Sequence, residues 1–176
     1  MSDNGFDSQK TFPLDFFPAV RTLCLSGFRN LQMITQDHSH NHLEVLSFSN
    51  CPQLESLPGS MHILLPSLKE LRIDDCPRVE SFPEGGLLPL SLTYLRISNF
   101  PNLKKLDYKG LYQLSSLKKL ILLDCPNLQQ LPEEGLPNSI SYLNIGGCPN
   151  LKQRCQNPGG EDWPKIAHIP TMDISG

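Results

Sequence analysis

A short apolar pattern recurs six times along the 176 residues of the chain, and this repetition constrains the fold more than any other feature. Each copy reads L-x-x-L-x-L, with Val, Ile or Phe at some Leu positions, and its second apolar residue falls at 23, 46, 71, 95, 120 and 143. The steps between copies are therefore 23, 25, 24, 25 and 23 residues. A unit of this length cannot bury an apolar side by itself, so the copies must stack on one another.

A second apolar segment follows each strand pattern and completes the unit. It reads C-P-x-L-x-x-L-P at 51–58 and 125–132, and C-P-x-V-x-x-F-P at 76–83. The alternation in L-x-L places both apolar side chains on one side of a short strand, whereas the prolines prevent a long helix on the return path. This combination predicts an α/β-type leucine-rich-repeat solenoid. We expect about six coils with a short-stranded parallel concave sheet, an irregular or 3-10 convex side and a C-terminal cap.

The repeats divide the chain into three parts. The polar residues 1–15 predict a flexible lead-in, residues 16–157 form the solenoid, and residues 158–176 form a capping segment. The N-terminal end opens directly on a repeat, without the polar capping unit that a solenoid needs to cover its core. We therefore expect that the chain is a fragment or that an upstream domain covers this end.

The capping segment has the pattern of a short helix followed by a strand. Asp162 is placed to cap the start of the helix. Trp163, Ile166 and Ala167 fall on one helical face, which we expect to lie over the last coil. Residues 171–175 then predict a final strand at the edge of the sheet.

Four of the six cysteines lie one repeat apart, at positions 51, 76, 125 and 148. Free Cys behaves as a small buried hydrophobe, and these positions lack the C-x2-4-C spacing of zinc sites. We interpret them as free structural thiols in a reducing, cytoplasmic environment, since no signal peptide is legible. The histidines at 38, 40 and 42 alternate as metal ligands can, but their polar surroundings favour a solvated loop. We therefore expect no metal site.

Charge and motifs exclude several functions. A net charge of −3 with scattered Lys and Arg predicts no nucleic-acid partner, and no apolar run approaches the ~20 residues of a membrane span. The chain contains no G-x-x-x-x-G-K-[ST] phosphate loop, no G-x-S-x-G elbow and no H-E-x-x-H zinc motif. We expect neither enzymatic activity nor a cofactor.

The residues between and after the strand leucines face outward, because side chains alternate along a strand. Arg and Tyr are enriched at protein interfaces, and adjacent strands lie about 4.8 Å apart, so residues at one register position become neighbours. The candidate protein-binding residues are Glu70, Arg72, Asp74, Tyr94, Arg96, Lys119, Ile121, Leu123, Tyr142 and Asn144. Two interpretations are open: a contact patch for another protein, or a solvated sheet whose charges pair among themselves.

The coil form at 43–58, 68–83 and 117–132 resembles the repeats of plant nucleotide-binding leucine-rich-repeat disease-resistance proteins. Arg154-Cys155 followed by G-E-D-W-P-K-I-A-H-I-P at 160–170 is similar to the closing segment of their coiled-coil subclass. The resemblance covers about residues 17–176 and concerns the C-terminal part of such a protein. Their signalling coiled coil and nucleotide-binding domain have no counterpart in this sequence.

This resemblance implies a recognition role in plant innate immunity, in the cytoplasm. The implied partner is a pathogen effector, a guarded host protein or the nucleotide-binding domain of a parent protein, which the repeats would restrain. The main alternative is a substrate-selecting adaptor of a ubiquitin ligase, whose repeats also carry Cys but continue with a convex helix and follow an F-box bundle. A secreted plant inhibitor is disfavoured by the missing signal peptide and by Cys in place of Asn.

Overall fold

The computed structural model describes residues 10–55, 57, 60–83 and 88–175. Its strands are β1 (Thr11–Pro13), β2 (Thr22–Ser26), β3 (Met33–Thr35), β4 (Val45–Ser49), β5 (Glu70–Asp74), β6 (Ser81–Phe82), β7 (Tyr94–Ser98), β8 (Lys105–Leu106), β9 (Lys119–Leu123), β10 (Tyr142–Gly146) and β11 (Thr171–Ser175). The helices are α1 (Met61–Leu64), α2 (Tyr108–Tyr112) and α3 (Pro149–Arg154), with 3-10 turns at Leu14–Phe16 and Trp163–Lys165. None of the described helices has the length and apolarity needed to cross a bilayer.

Seven of these strands form one parallel sheet along the concave side, in the order β2-β4-β5-β7-β9-β10-β11. The first six are the repeat strands predicted from the sequence, which enclose five full turns, and β11 is the predicted final strand. On the convex side, β1 pairs with β3 and β6 pairs with β8, so this side carries short extended segments and short helices. The predicted solenoid fold is confirmed.

The period-two pattern explains which side of the sheet is buried. In β4, Leu46 and Phe48 are fully buried, whereas Val45, Ser47 and Ser49 are half-buried on the concave side. The same two core positions are buried in β5, β7, β9 and β10. Because consecutive strands are in register, each coil adds its apolar side chains to one continuous core.

A residue with left-handed backbone follows each of the six repeat strands and turns the chain toward the core. These residues have φ between 50 and 75° and are Gly, Asn or Asp, the types that adopt this conformation at the lowest cost. The N–H groups of the first five donate to a carbonyl of the next coil, as in Asn99 N to Leu123 O at 2.9 Å. The turning residues are Gly27, Asn50, Asp75, Asn99, Asp124 and Gly147.

The four interior cysteines are buried, as predicted, and all six cysteines are free. Each interior thiol lies within hydrogen-bonding distance of the carbonyl two residues earlier, as in Cys125 Sγ to Leu123 O at 3.2 Å. Burial raises the pKa of Cys76 to about 12, so this thiol is a protonated, space-filling group at neutral pH. Cys24, in contrast, is exposed on β2.

The N-terminal boundary of the packed structure differs from the prediction. Residues 1–9 of the expected lead-in lie outside the described residues, but residues 11–15 pack into the solenoid, where β1 pairs with β3 and Phe12 is buried. The physical reason is that T-F-P at 11–13 repeats the S-F-P ending of the coil at 81–83. The polar residues before it, Ser8, Gln9 and Lys10, led to the prediction of a lead-in.

The cap is built around Asp162, whose side chain does not cap a helix as predicted. Its fully buried carboxylate accepts hydrogen bonds from Leu131 N at 2.9 Å, the Arg154 guanidinium at 3.1 Å and Lys165 Nζ at 2.9 Å. Burial raises the pKa of this carboxyl, but the hydrogen bonds from Arg154, Leu131 and Lys165 outweigh it and hold the pKa below its usual range. Asp162 thereby ties the cap to the preceding coil.

Three residues after Asp162 were predicted to lie over the last coil, and two of them do. Ile166 is fully buried and Trp163 is half-buried against the core. Ala167 is exposed, because a 3-10 turn with three residues per turn replaces the predicted α-helix and shifts the buried face.

Candidate protein-binding face

All ten predicted residues lie on β5, β7, β9 and β10, at positions that alternate with the core. The strand register aligns them in columns across the sheet, with Ser98 between Asp74 and Leu123 in the third. The columns are Glu70-Tyr94-Lys119-Tyr142, Arg72-Arg96-Ile121-Asn144 and Asp74-Ser98-Leu123. The ten predicted residues are called the concave face below.

The charged half of the concave face lies on β5 and β7. Arg72 Nη2 donates to Glu70 Oε2 at 2.7 Å, and the Arg72 guanidinium lies 5.2 Å from the centroid of the Tyr94 ring. Arg96 Nε donates to Asp74 Oδ1 at 2.9 Å, and this hydrogen bond raises the pKa of Arg96. The charges therefore pair among themselves in the free protein. Such partly exposed pairs contribute little to stability.

The aliphatic part of the concave face lies on β9. Ile121 and Leu123 point outward as predicted but are half-buried. Leu123 extends toward β10, where a Cβ on Gly146 would come within 3.0 Å of its Cδ2. The missing side chain of Gly146 thus leaves room for Leu123 to lie flat on the sheet. We call Ile121 and Leu123 the aliphatic pair.

Lys119, Tyr142 and Asn144 complete the face beside the aliphatic pair. Lys119 Nζ lies 6.0 Å from the centroid of the Tyr142 ring, within the range of a cation–π contact. Asn144 Oδ1 is buried and has no hydrogen-bond partner among the described residues. This side of the face therefore offers a cation and an aromatic ring to a partner.

Sequence reasoning missed one residue that extends the face. β11 is in register with β10, and the exposed Asp173 lies beside Asn144 in the middle column. The sequence T-M-D-I-S at 171–175 repeats the x-L-x-I-x pattern of the repeat strands. Continuing the columns by one strand would have found Asp173.

The alternating histidines do not converge on a common point. His40 is buried, its Nδ1 accepts from Leu43 N at 3.1 Å, and its Nε2 lies 2.8 Å from Phe17 O. His38 is exposed and lies 3.4 Å from Asp15. Within the described part of the chain, no group of three or more His, Cys, Asp or Glu side chains is placed to hold a metal ion. These contacts give His40 a structural role, because they join its loop to the first coil.

No protein-family model matches the chain. A segment of 43 residues, which is 23% of the chain, is 51% identical to "Putative disease resistance protein RGA4" of Solanum bulbocastanum. The chain spans 4% of the length of that protein. This similarity supports the resemblance to plant resistance proteins, whereas the assignment to their repeat region and to the coiled-coil subclass stays a prediction.

Proposed function

We propose that this chain is a protein-recognition module of a plant resistance-related protein and that its concave face binds the partner. The observation that carries the proposal is the composition of that face, where arginine, tyrosine and aliphatic side chains are gathered on one parallel sheet. The similarity to a disease resistance protein supports the biological setting.

A binding role accounts for the concave face better than catalysis does. Its arginines are engaged by Glu70, Asp74 and the Tyr94 ring, which holds their guanidinium groups in place before a partner arrives. Pre-oriented side chains lose less conformational freedom on binding, so more of the contact energy appears as affinity. Burial raises the pKa of the Cys76 and Cys155 thiols to about 12, so these two groups are unsuited to act as nucleophiles. We therefore assign no enzymatic activity or cofactor.

The partner in this proposal is a protein encountered in the cytoplasm. A pathogen effector, a guarded host protein and the nucleotide-binding domain of a parent protein all present folded surfaces with mixed charged and apolar side chains, which suits the two halves of the concave face. The six free thiols favour a reducing compartment. Restraint of a nucleotide-binding module would use the same face, so that an effector and the module would compete for it.

A yeast two-hybrid screen of a leaf cDNA library, followed by titration of each purified partner, tests this function. Arg72→Glu removes a guanidinium whose side chain is 46% exposed and places two carboxylates beside each other at residues 70 and 72. We expect the partner's affinity to fall by about tenfold or more, or ~1.4 kcal/mol, because arginines near the centre of an interface carry much of its binding energy.

Arg78→Glu is the matched control for this experiment. The Arg78 side chain is 47% exposed and pairs with Glu55, but it lies in the segment after β5, away from the concave face. Both variants are first compared by thermal unfolding, so that only variants of equal stability are titrated. Unchanged affinity for Arg72→Glu would mean that the partner binds elsewhere on the solenoid.

A further inference from the structure

Lys119, the first residue of β9, and Lys118 before it differ from most of the basic side chains of the solenoid. Ion pairs engage eight cations of the described residues, namely Arg21, Lys69, Arg72, Arg78, Arg96, Lys104, Arg154 and Lys165. Lys118 and Lys119 are exposed, and no described carboxylate lies within 4 Å of either ammonium group. Their charge is thus available to a partner.

The strand register explains why these lysines have no acidic partner among the residues that the structure describes. Tyr94 and Tyr142 flank Lys119 on the adjacent strands. The backbone hydrogen bonds of Lys118 place it between Thr93 and Ser141. Since the lateral neighbours are tyrosines or hydroxyl residues, no carboxylate reaches the ammonium groups along the sheet. Arg96, by contrast, has Asp74 on its neighbouring strand.

The aliphatic pair lies on the same strand and the same side as Lys119. Lys119, Ile121 and Leu123 follow one another at intervals of two residues, so consecutive side chains of the three lie about 7 Å apart along the concave side. The aliphatic pair is half-buried, and its outer surface is in contact with solvent. A partner side chain that covers it removes apolar surface from water on both molecules.

We propose that β9 binds an extended acidic segment of a partner protein in which a carboxylate and an apolar side chain alternate as Asp/Glu-x-apolar. The carboxylate pairs with Lys119, and the apolar side chain covers the aliphatic pair. The i to i+2 spacing of an extended segment equals the spacing of Lys119 and Ile121 on β9. This inference rests on the proposed function, because it specifies the partner chemistry of the concave face.

A phage library of random 12-residue peptides, selected on the immobilised chain, provides the test. We expect the enriched peptides to carry Asp or Glu two positions from Leu, Ile, Phe or Trp. A fluorescein-labelled synthetic peptide of the enriched sequence should bind at least about tenfold more weakly to Lys119→Glu, and more weakly as the salt concentration rises. Lys119→Arg should retain binding, and Ile121→Ser should weaken it.

Lys104→Glu is the control, because the Lys104 side chain is 62% exposed but precedes β8 on the convex side. Peptide binding should be unchanged in this variant. Enrichment of peptides without acidic residues, no enrichment at all, or equal binding to Lys119→Glu would overturn the inference. If acidic peptides fail while a protein partner still depends on Arg72, only this inference is wrong and the proposed function stands.

Discussion

The first and last coils of the solenoid have the same repeat pattern, but they are covered differently by the rest of the chain. At the C-terminal end, β11 covers β10, and Ile166 and Ile169 are buried against the last coil. At the N-terminal end, β2 is the outermost strand of the described sheet, and Phe16 is 77% exposed. The last repeat strand, β10, is therefore covered by a further strand, whereas β2, the first repeat strand, has no strand on its outer side among the described residues.

The difference shows that a coil depends on its neighbour to bury its apolar side. Leu23 and Leu46 occupy the same position in consecutive copies of L-x-x-L-x-L, yet Leu46 is fully buried and Leu23 only half-buried. Leu46 has a strand on each side, whereas Leu23 has one. Local sequence specifies the shape of the coil, and stacking supplies most of the burial that stabilises it.

An aspartate organises the backbone at each end, and the two differ in burial. Asp15 accepts from Asp37 N at 2.8 Å and His38 N at 3.1 Å, and its side chain is 28% exposed. Asp162 is fully buried and joins three parts of the chain through Leu131, Arg154 and Lys165. The two carboxylates make similar hydrogen bonds in different dielectric surroundings, which makes them a natural pair for mutagenesis.

Replacing the buried aspartate should have the largest effect. Asp162→Asn removes the negative charge between Arg154 and Lys165, and breaking a buried ion pair from one side costs about 3 kcal/mol. We expect the free energy of unfolding, measured by urea titration with circular dichroism, to fall by that amount. Asp15→Asn is the matched control and should lose far less. Equal losses in the two variants would show that burial does not distinguish the two ends.

Truncating one apolar side chain at each end should also give different losses in the free energy of unfolding. We expect this difference to be slightly smaller than that between the two aspartate variants. Ile166→Ala opens a cavity under the cap and should lower the free energy of unfolding by about 2–3 kcal/mol, because Ile166 is fully buried. Phe16→Ala removes a larger side chain but should change it by less than about 0.5 kcal/mol, since Phe16 is exposed. Thermal and urea unfolding of both variants provide the measurement. A comparable loss for Phe16→Ala would indicate that Phe16 is covered in solution.

The residues that face the concave side could be predicted from the sequence, because side chains alternate along a strand with a period of two. Once the strands are aligned, the neighbours of Arg72, Arg96 and Ile121 follow from counting, and the observed register agrees. The half-burial of the aliphatic pair could not be found in this way. The position of Leu123 depends on Gly146, whose missing side chain matters only after β10 is placed beside β9.

The cap shows the limit of local reasoning. A sequence of Asp followed by Trp-Pro matches a helix N-terminus, and Asp162 does stand at the N-cap position of the 3-10 turn, but its side chain makes no capping hydrogen bond. The actual partners include Leu131 and Arg154, which are 31 and 8 residues away along the chain. Contacts of this kind depend on how the cap folds back on the preceding coils, and no spacing rule within the segment contains that information.

Acid should lower the free energy of unfolding by protonating Asp162, and we expect this to be the smallest of the three effects. An unfolded Asp binds its proton near pH 4, whereas Asp162 in the folded chain binds it only at lower pH, because its hydrogen bonds lower the pKa. Between these two pKa values the unfolded state holds more protons, so the free energy of unfolding falls as the pH falls. Urea titrations from pH 6 to 3 should therefore show a steeper decline for the unsubstituted chain than for Asp162→Asn, which has no proton to bind at this position. Asp15 also has a lowered pKa, chiefly through its hydrogen bond from Asp37 N, so Asp15→Asn should flatten the curve too, but less. Parallel curves for the unsubstituted chain and Asp162→Asn would show that Asp162 titrates as it does in the unfolded chain.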